Sequence, residues 1–301
     1  MSYSQARLER WVESFDGTRL FYTMSGDGPV DFLLCDGIGC DGFIWPYLRP
    51  YLEERGRVIH LHMRGHGRSA EPADLTHVTI TDLTADWGQV IEHESLEGRP
   101  LVAIGHSMGV QVALELCHQF PSWEWRGLAL LCGTFEHTAS NVHETQMLER
   151  ALPMLRKAAA LGGEALSTLW RRMVRFPLVV NIAQRTEMSP TLTRKRDIER
   201  YLEHLGRMKP MTFLAMLSAA SEHSARSYLS ELQTPALIIA GEKDTFTPAR
   251  LSEEMAALMS HVQLNVIQGG THVTPIEYSV EVNQLIRRWL NEVSGDLEAQ
   301  G

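Results

Sequence analysis

The stretch Leu101-Val102-Ala103-Ile104-Gly105-His106-Ser107-Met108-Gly109-Val110 constrains the fold of this chain more than any other. Four apolar residues of strand character lead into Gly-His-Ser-Met-Gly, and a helix-like segment from Met108 to Gln119 follows with no spacer. A backbone that passes from strand to helix so abruptly must turn sharply at Ser107. Gly105 and Gly109, two positions either side, leave room for that close approach, and the serine is expected to sit in a strained conformation. Its hydroxyl then stands at the carboxyl edge of a sheet, with the Met108 amide, at a helix start, facing any oxyanion that forms there.

The same alternation of apolar runs and helical period extends along the chain, which predicts an α/β fold with a mostly parallel sheet covered by helices. The runs Arg19 to Met24, Asp31 to Cys35, Val58 to Met63, Leu101 to Ile104, Leu128 to Cys132, Ala236 to Ala240 and Gln263 to Ile267 read as strands. Leu8 to Phe15 adds an eighth, paired with the first of these as a hairpin, because Asp16-Gly17 is a strong turn dipeptide. Helical segments are expected over Ile44 to Glu54, Ile80 to Glu94, Met108 to Gln119, Pro248 to Met259 and Pro275 to Val293. Thr247 before Pro248 and Thr274 before Pro275 read as capping residues followed by proline in the first turn.

From Glu136 to Arg226 the strand signal stops, and the segment reads as helical with breaks near Gly162-Gly163, Ser189-Pro190 and Lys209-Pro210. Two domains follow: a core of residues 1–135 and 227–301, and a helical cap of residues 136–226 inserted before the penultimate strand. The cap holds seven of the thirteen methionines (Met147, Met154, Met173, Met188, Met208, Met211 and Met216), which suggests a pliable acyl-binding wall, with plain cap-to-core packing as the alternative. Its 14 Lys and Arg against 9 Asp and Glu make it basic over an acidic body.

A serine hydroxyl is a weak nucleophile and needs a base within hydrogen-bond reach, held in turn by a third group. Of thirteen histidines, His272 in Gly269-Gly270-Thr271-His272 follows the last predicted strand and precedes a helix, at the same sheet edge. His106 adjoins the serine, but neighbours in a tight turn point apart, so it supports the turn. Asp244 in Gly241-Glu242-Lys243-Asp244 follows the Ala236 to Ala240 strand and is the natural orienting acid. The preceding strand ends in Cys132-Gly133-Thr134-Phe135, with Glu136 only a distant candidate. The order Ser107, Asp244, His272 is that of a Ser, acid, His triad on this kind of sheet.

On these residues the chain resembles the α/β-hydrolase superfamily, in its lidded serine esterase and lipase-like branch, over nearly all of residues 10 to 293. Gly-His-Ser-Met-Gly, the Arg64-Gly65-His66-Gly67-Arg68-Ser69 turn and the Gly-Gly-Thr-His segment match its pattern. The resemblance implies a carboxylic ester hydrolase working through an acyl-enzyme, with the Ile38 amide as second oxyanion donor. Carbon-carbon bond hydrolases, lactonases and cofactor-free perhydrolases share the layout and remain alternatives. Epoxide hydrolases and dehalogenases use an aspartate nucleophile, which Ser107 argues against. A ligand receptor on the same fold would not need Ser107, Asp244 and His272 together.

One departure stands out: where relatives carry His-Gly-X and Asp-X-Arg-Gly after the third and fourth strands, this chain has Asp36-Gly37-Ile38 and His62-Met63-Arg64-Gly65. The two strand ends are neighbours in the family, so Asp36 and His62 are expected to form one hydrogen-bonded pair shaping the loop that aims the Ile38 amide.

Composition bounds the partners. A net charge of −9 argues against a nucleic-acid surface, and no apolar run is long enough for a membrane span. Cys35, Cys40, Cys117 and Cys132 form no CxxC pair or zinc-finger spacing and read as reduced, buried thiols, and the acyl-transfer mechanism expected above requires neither metal nor organic cofactor. The polar opening MSYSQARLERWVES lacks the apolar stretch of a secretory signal, and a cytoplasmic location is expected. The expected partner is a small ester or acyl substrate with an apolar acyl part.

Overall fold

The structure, a computed structural model, describes residues 7–138, 147–174, 189 and 192–298. Eight strands form one sheet: β1 (Leu8–Glu13), β2 (Arg19–Ser25), β3 (Val30–Cys35), β4 (Gly56–His62), β5 (Leu101–His106), β6 (Trp125–Leu131), β7 (Ala236–Gly241) and β8 (Val262–Ile267). Their order across the sheet is β1-β2-β4-β3-β5-β6-β7-β8. β2 runs antiparallel to β1 and to β4, and every other pair is parallel. The eight-stranded, mostly parallel α/β-hydrolase architecture read from the sequence is the one observed.

β3, β5 and β7 are buried along their whole length, as expected of strands covered on both faces. Side chains alternate between the two faces of the sheet, where they build three cores. Phe32, Leu34, Ile104, Leu131, Ile239 and Trp289 share one; on the opposite face Leu33, Ile59 and Trp87 form a second and Ala103, Leu130 and Ile238 a third. The helices are α1 (Arg49–Glu53), α2 (Ile80–His93), α3 (Met108–Gln119), α4 (Met147–Val174), α5 (Lys195–Leu205), α6 (Pro210–Glu222), α7 (Ala249–Leu258), α8 (Thr274–Glu277) and α9 (Ser279–Glu298). Thr79 starts α2 with a capping box: its hydroxyl accepts from Asp82 N–H while Asp82 accepts from Thr79 N–H.

Three local expectations are corrected. The helix predicted over Ile44 to Glu54 shrinks to α1, because Pro46 and Pro50 interrupt the hydrogen-bond ladder; Phe43, Ile44, Trp45 and Leu48 are nonetheless buried. The last helix is split after Glu277, where Tyr278 leaves helical geometry. Neither Thr247 nor Thr274 caps a helix. The cap positions belong to Pro248 and Val273, while the Thr247 hydroxyl donates to Asp244 and that of Thr274 to the Thr271 carbonyl.

Between β6 and β7 the chain leaves the sheet as a helical insertion, and α4 packs against α6 within it. α4 kinks at Gly163, whose φ of 48° no ordinary helical residue adopts, and α6 starts at the break at Lys209-Pro210. Pro190 and Met188 lie outside the described residues. At its base, Glu136 accepts from Nε and Nη2 of Arg226 and from the Ser224 hydroxyl, so this carboxylate clamps the two ends of the insertion.

Candidate active site

Ser107 occupies the turn between β5 and α3 with φ 56° and ψ −123°, a conformation that side chains rarely adopt. The neighbourhood makes this possible only with glycine. A Cβ on Gly105 would strike the Gly109 carbonyl, one on Gly109 the Cys35 carbonyl, and one on Gly133 the Ser107 carbonyl and Val110. Gly37 lies against the serine itself, where a Cβ would stand 2.8 Å from Ser107 Cβ.

Three loops at the same sheet edge converge on this serine. Ser107 Oγ donates to His272 Nε2 at 3.0 Å, and His272 Nδ1–H donates to Asp244 Oδ2 at 2.9 Å. Asp244, fully buried at its side chain, also accepts the Phe246 and Thr247 N–H groups, each at 2.9 Å, and the Thr247 hydroxyl at 2.8 Å. Burial pushes its carboxyl up, but His272 and these donors outweigh burial and hold it below the ordinary value, so it stays ionised. The imidazole is thereby fixed with its proton on Nδ1 and its lone pair toward the serine.

His106 turns away from the serine hydroxyl, and its Nε2 hydrogen-bonds the His272 carbonyl at 2.9 Å. Burial, aided by the nearby His272, pushes His106 down to about 4. Ile38 lines the same pocket as Ser107, and Met108 opens α3, whose first amides have no acceptor inside the helix. Glu136, the distant alternative acid, is engaged with Arg226.

The Asp36–His62 pair does not form. Asp36 Oδ2 accepts from His60 Nε2–H at 2.7 Å and Oδ1 from Trp45 Nε1–H at 2.6 Å. His60 and His62 share one face of β4, and the register sets Leu34 opposite His60. Continued as a strand, β3 would bring Asp36 level with His62; instead the chain turns after Cys35 and the carboxylate folds back by two residues. His62 is taken by the turn behind it, where its Nδ1 accepts the Arg68 N–H at 3.1 Å and its ring packs edge-on against Phe21. Burial raises the Asp36 carboxyl, but His60, His62 and Trp45 together hold it below the ordinary value.

Replacing Asp36 or His60 by alanine is accordingly expected to destabilise the fold and impair turnover, with a coupling of about 0.5 to 3 kcal/mol in the double mutant. The same cycle run with His62→Asn should give additive losses, within about 0.5 kcal/mol. Urea unfolding of the six proteins checks this, and a coupling to His62 but not His60 would contradict the pairing.

Sequence reasoning passed over three positioning groups. His66 Nε2 accepts the Gly39 N–H at 3.0 Å while its Nδ1–H donates to the Arg64 carbonyl, which pins the loop carrying Ile38. Arg64 in turn is fully buried, bonded to Asp86, Asp16 and the His77 carbonyl. Glu277 accepts the Thr271 N–H and hydroxyl, and also the Ser189 N–H, so one carboxylate joins the His272 loop to the insertion. The Arg-Gly-His-Gly-Arg-Ser turn was the available signal for the first two; an isolated Glu277 offered none.

The pocket above Ser107 and His272 is lined by Ile38, Phe43, Tyr201, Phe213, Leu217 and Phe246, among others. No methionine is among the described lining residues, so the expected Met wall is replaced by aromatic residues. Met208 and Met216 are buried elsewhere, and Met154 and Met173 face outward. Among the described residues no cluster of three or more His, Cys, Asp or Glu could hold a metal ion.

Comparison with known proteins adds to this geometry. The model of the family described as "Serine aminopeptidase, S33" matches residues 45–279. A pimeloyl-[acyl-carrier protein] methyl ester esterase of Methylococcus capsulatus is 28% identical over 90% of this chain and 98% of its own length. A thermophilic esterase from Thermogutta terrifontis is similar in structure, with TM-score 0.73 and 23% identity, covering 96% of this chain and 99% of its own. A bromoperoxidase from Bacillus anthracis has TM-score 0.77 at 17% identity, covering 94% and 99%.

Proposed function

This chain belongs to the serine aminopeptidase S33 family, and we propose that it works there as a carboxylic ester hydrolase, with Ser107, His272 and Asp244 as its triad. His272 Nε2 takes the Ser107 proton as Oγ attacks the ester carbonyl, and the Ile38 and Met108 amides hold the oxyanion. The imidazolium then passes that proton to the leaving alkoxide. A water, deprotonated by His272, attacks the acyl-enzyme and releases the acid while Ser107 regains a proton. Asp244 holds the imidazole in the required tautomer throughout and steadies its positive charge. Residues 136–226 serve as the cap over this site.

The observation that carries the reading is the line of bonds from Ser107 to His272 to Asp244 beneath a pocket whose described lining holds no carboxylate and no Lys or Arg. An aminopeptidase must pair the α-ammonium of its substrate, and a buried unpaired ammonium is strongly disfavoured. A neutral ester needs no such partner. The esterase named above, similar along nearly its whole length, fits the same reading.

No helix among the described residues is long and apolar enough to cross a membrane. We place the enzyme in the cytoplasm, a reading supported by four free, buried cysteines.

The test is labelling and turnover together. A fluorophosphonate should label Ser107, and short-chain ethyl esters should be cleaved at least roughly 100-fold faster than alanine p-nitroanilide. Preferential anilide cleavage would return the enzyme to the aminopeptidases, and peracid formation from acetate and peroxide exceeding ester cleavage would make it a perhydrolase.

A further inference from the structure

The pocket's shape and lining narrow the substrate further, and this step rests on the ester-hydrolase reading above. Two of its aromatic walls come from core loops, Phe43 after β3 and Phe246 after β7; two come from the insertion, Tyr201 on α5 and Phe213 on α6. Phe43 and Tyr201 pack with ring centroids 4.8 Å apart, and Phe246 lies 5.1 Å from the His272 ring. Phe213 is backed by Trp170 at 5.3 Å, whose Nε1–H is held by the Leu205 carbonyl at 3.0 Å. Phe213 is thus braced from behind, and the walls border a partly open volume of about 200 Å³ beside Ser107 and His272.

We propose that this enzyme takes an uncharged ester whose recognised part is a single aromatic ring, as in an arylacetyl or benzyl ester. Size sets the upper bound. An apolar cavity of about 150 Å³ holds one benzene, so a space modestly larger holds one ring with roughly two further carbons and leaves most of a long acyl chain outside, in water. Chemistry sets the kind of group. Aromatic side chains on several sides offer edge and face contacts that an alkyl chain of equal area does not exploit. Charge sets the last limit: with no cation in the described lining, a substrate carboxylate would enter stripped of water and without a partner.

Ethyl esters followed by acid release suit the test, since an aryl leaving group would itself compete for the slot. In kcat/KM, ethyl phenylacetate should exceed ethyl hexanoate by about 2- to 10-fold. Ethyl dodecanoate and monoethyl succinate should each fall at least roughly 100-fold below it. Benzyl acetate against butyl acetate locates the ring on the acyl or the alcohol side. Phenylmethanesulfonyl fluoride should inactivate Ser107 faster than butanesulfonyl fluoride, which reads ring recognition without turnover. Phe213→Ala should lose the ring preference and accept longer chains. Equal rates for ring and alkyl partners on both sides, or a preference for dodecanoate or the hemiester, overturn the proposal while leaving the hydrolase intact. Absence of any Ser107 labelling and any ester turnover overturns both.

Discussion

Ser107→Ala is expected to lower ester turnover by roughly 10⁴- to 10⁶-fold, and His272→Ala by a similar factor, while the double mutant falls hardly further. The reason is geometric. With Ser107 Oγ 3.0 Å from Nε2, the proton leaves the hydroxyl only into that lone pair, so either loss removes the same step. Asp244→Asn should be less damaging, because Thr247 and the His106 bond to the His272 carbonyl still constrain the loop. Stability should change little in Ser107→Ala, since the hydroxyl lies at the pocket and contributes little packing. Single-turnover kinetics beside urea unfolding separate these effects. Losses that multiply in the double mutant would mean that the two residues act independently.

Acid should unfold this protein well before its carboxylates are titrated. Burial pushes His62 down to about 3 and His66 and His106 down to about 4, whereas in the unfolded chain each titrates near 6.5. Their depressed folded values mean that the unfolded state binds more protons between those limits. The stability they confer is full above about pH 6.5 and drains as pH falls toward 4. Three such groups give a slope of up to about 4 kcal/mol per pH unit in the middle of that window. Asp36 and Asp244 act in the same direction at lower pH, because both lie below their ordinary values. Urea midpoints from pH 7.5 to 4.5 measure this, and a flat profile across pH 6.5 to 5 would show that these histidines are charged in the folded protein. Loss of activity on the same limb should be reversible only while the fold persists.

What the amino-acid sequence disclosed follows from which forces act locally. β5 and the Gly-His-Ser-Met-Gly turn were legible because strand burial on both faces, glycine clearance and helix start all fall within ten consecutive residues. The segment Ile44 to Glu54 misled because apolar residues are needed there for the core whether or not they are helical, and the prolines decide the backbone. Asp36 was rightly singled out as buried and partnered, yet its partner depends on how the chain turns after Cys35, a tertiary matter. His60 and His62 are indistinguishable by period, since both face the same side of β4. The described cap methionines stay off the pocket for a related reason: apolar content says that a helix packs, and not which of its residues meet the cavity. Tyr201, Phe213 and Leu217 do.

The strand order also has a consequence for how the chain is made on the ribosome. β5 docks beside β3, and β6, β7 and β8 then extend that same edge one after another, each on the strand synthesised before it. The insertion interrupts that sequence, for about a hundred residues must emerge between the end of β6 and the start of β7. At translation speeds of about 5 to 20 residues per second, the edge of β6 stands unpaired for roughly 5 to 20 seconds. Its residues Leu128, Ala129, Leu130 and Leu131, all completely or almost completely buried in the finished protein, are then an apolar template open to other chains. The insertion whose Tyr201, Phe213 and Leu217 line the pocket is thus also the segment whose synthesis most exposes the nascent sheet to aggregation.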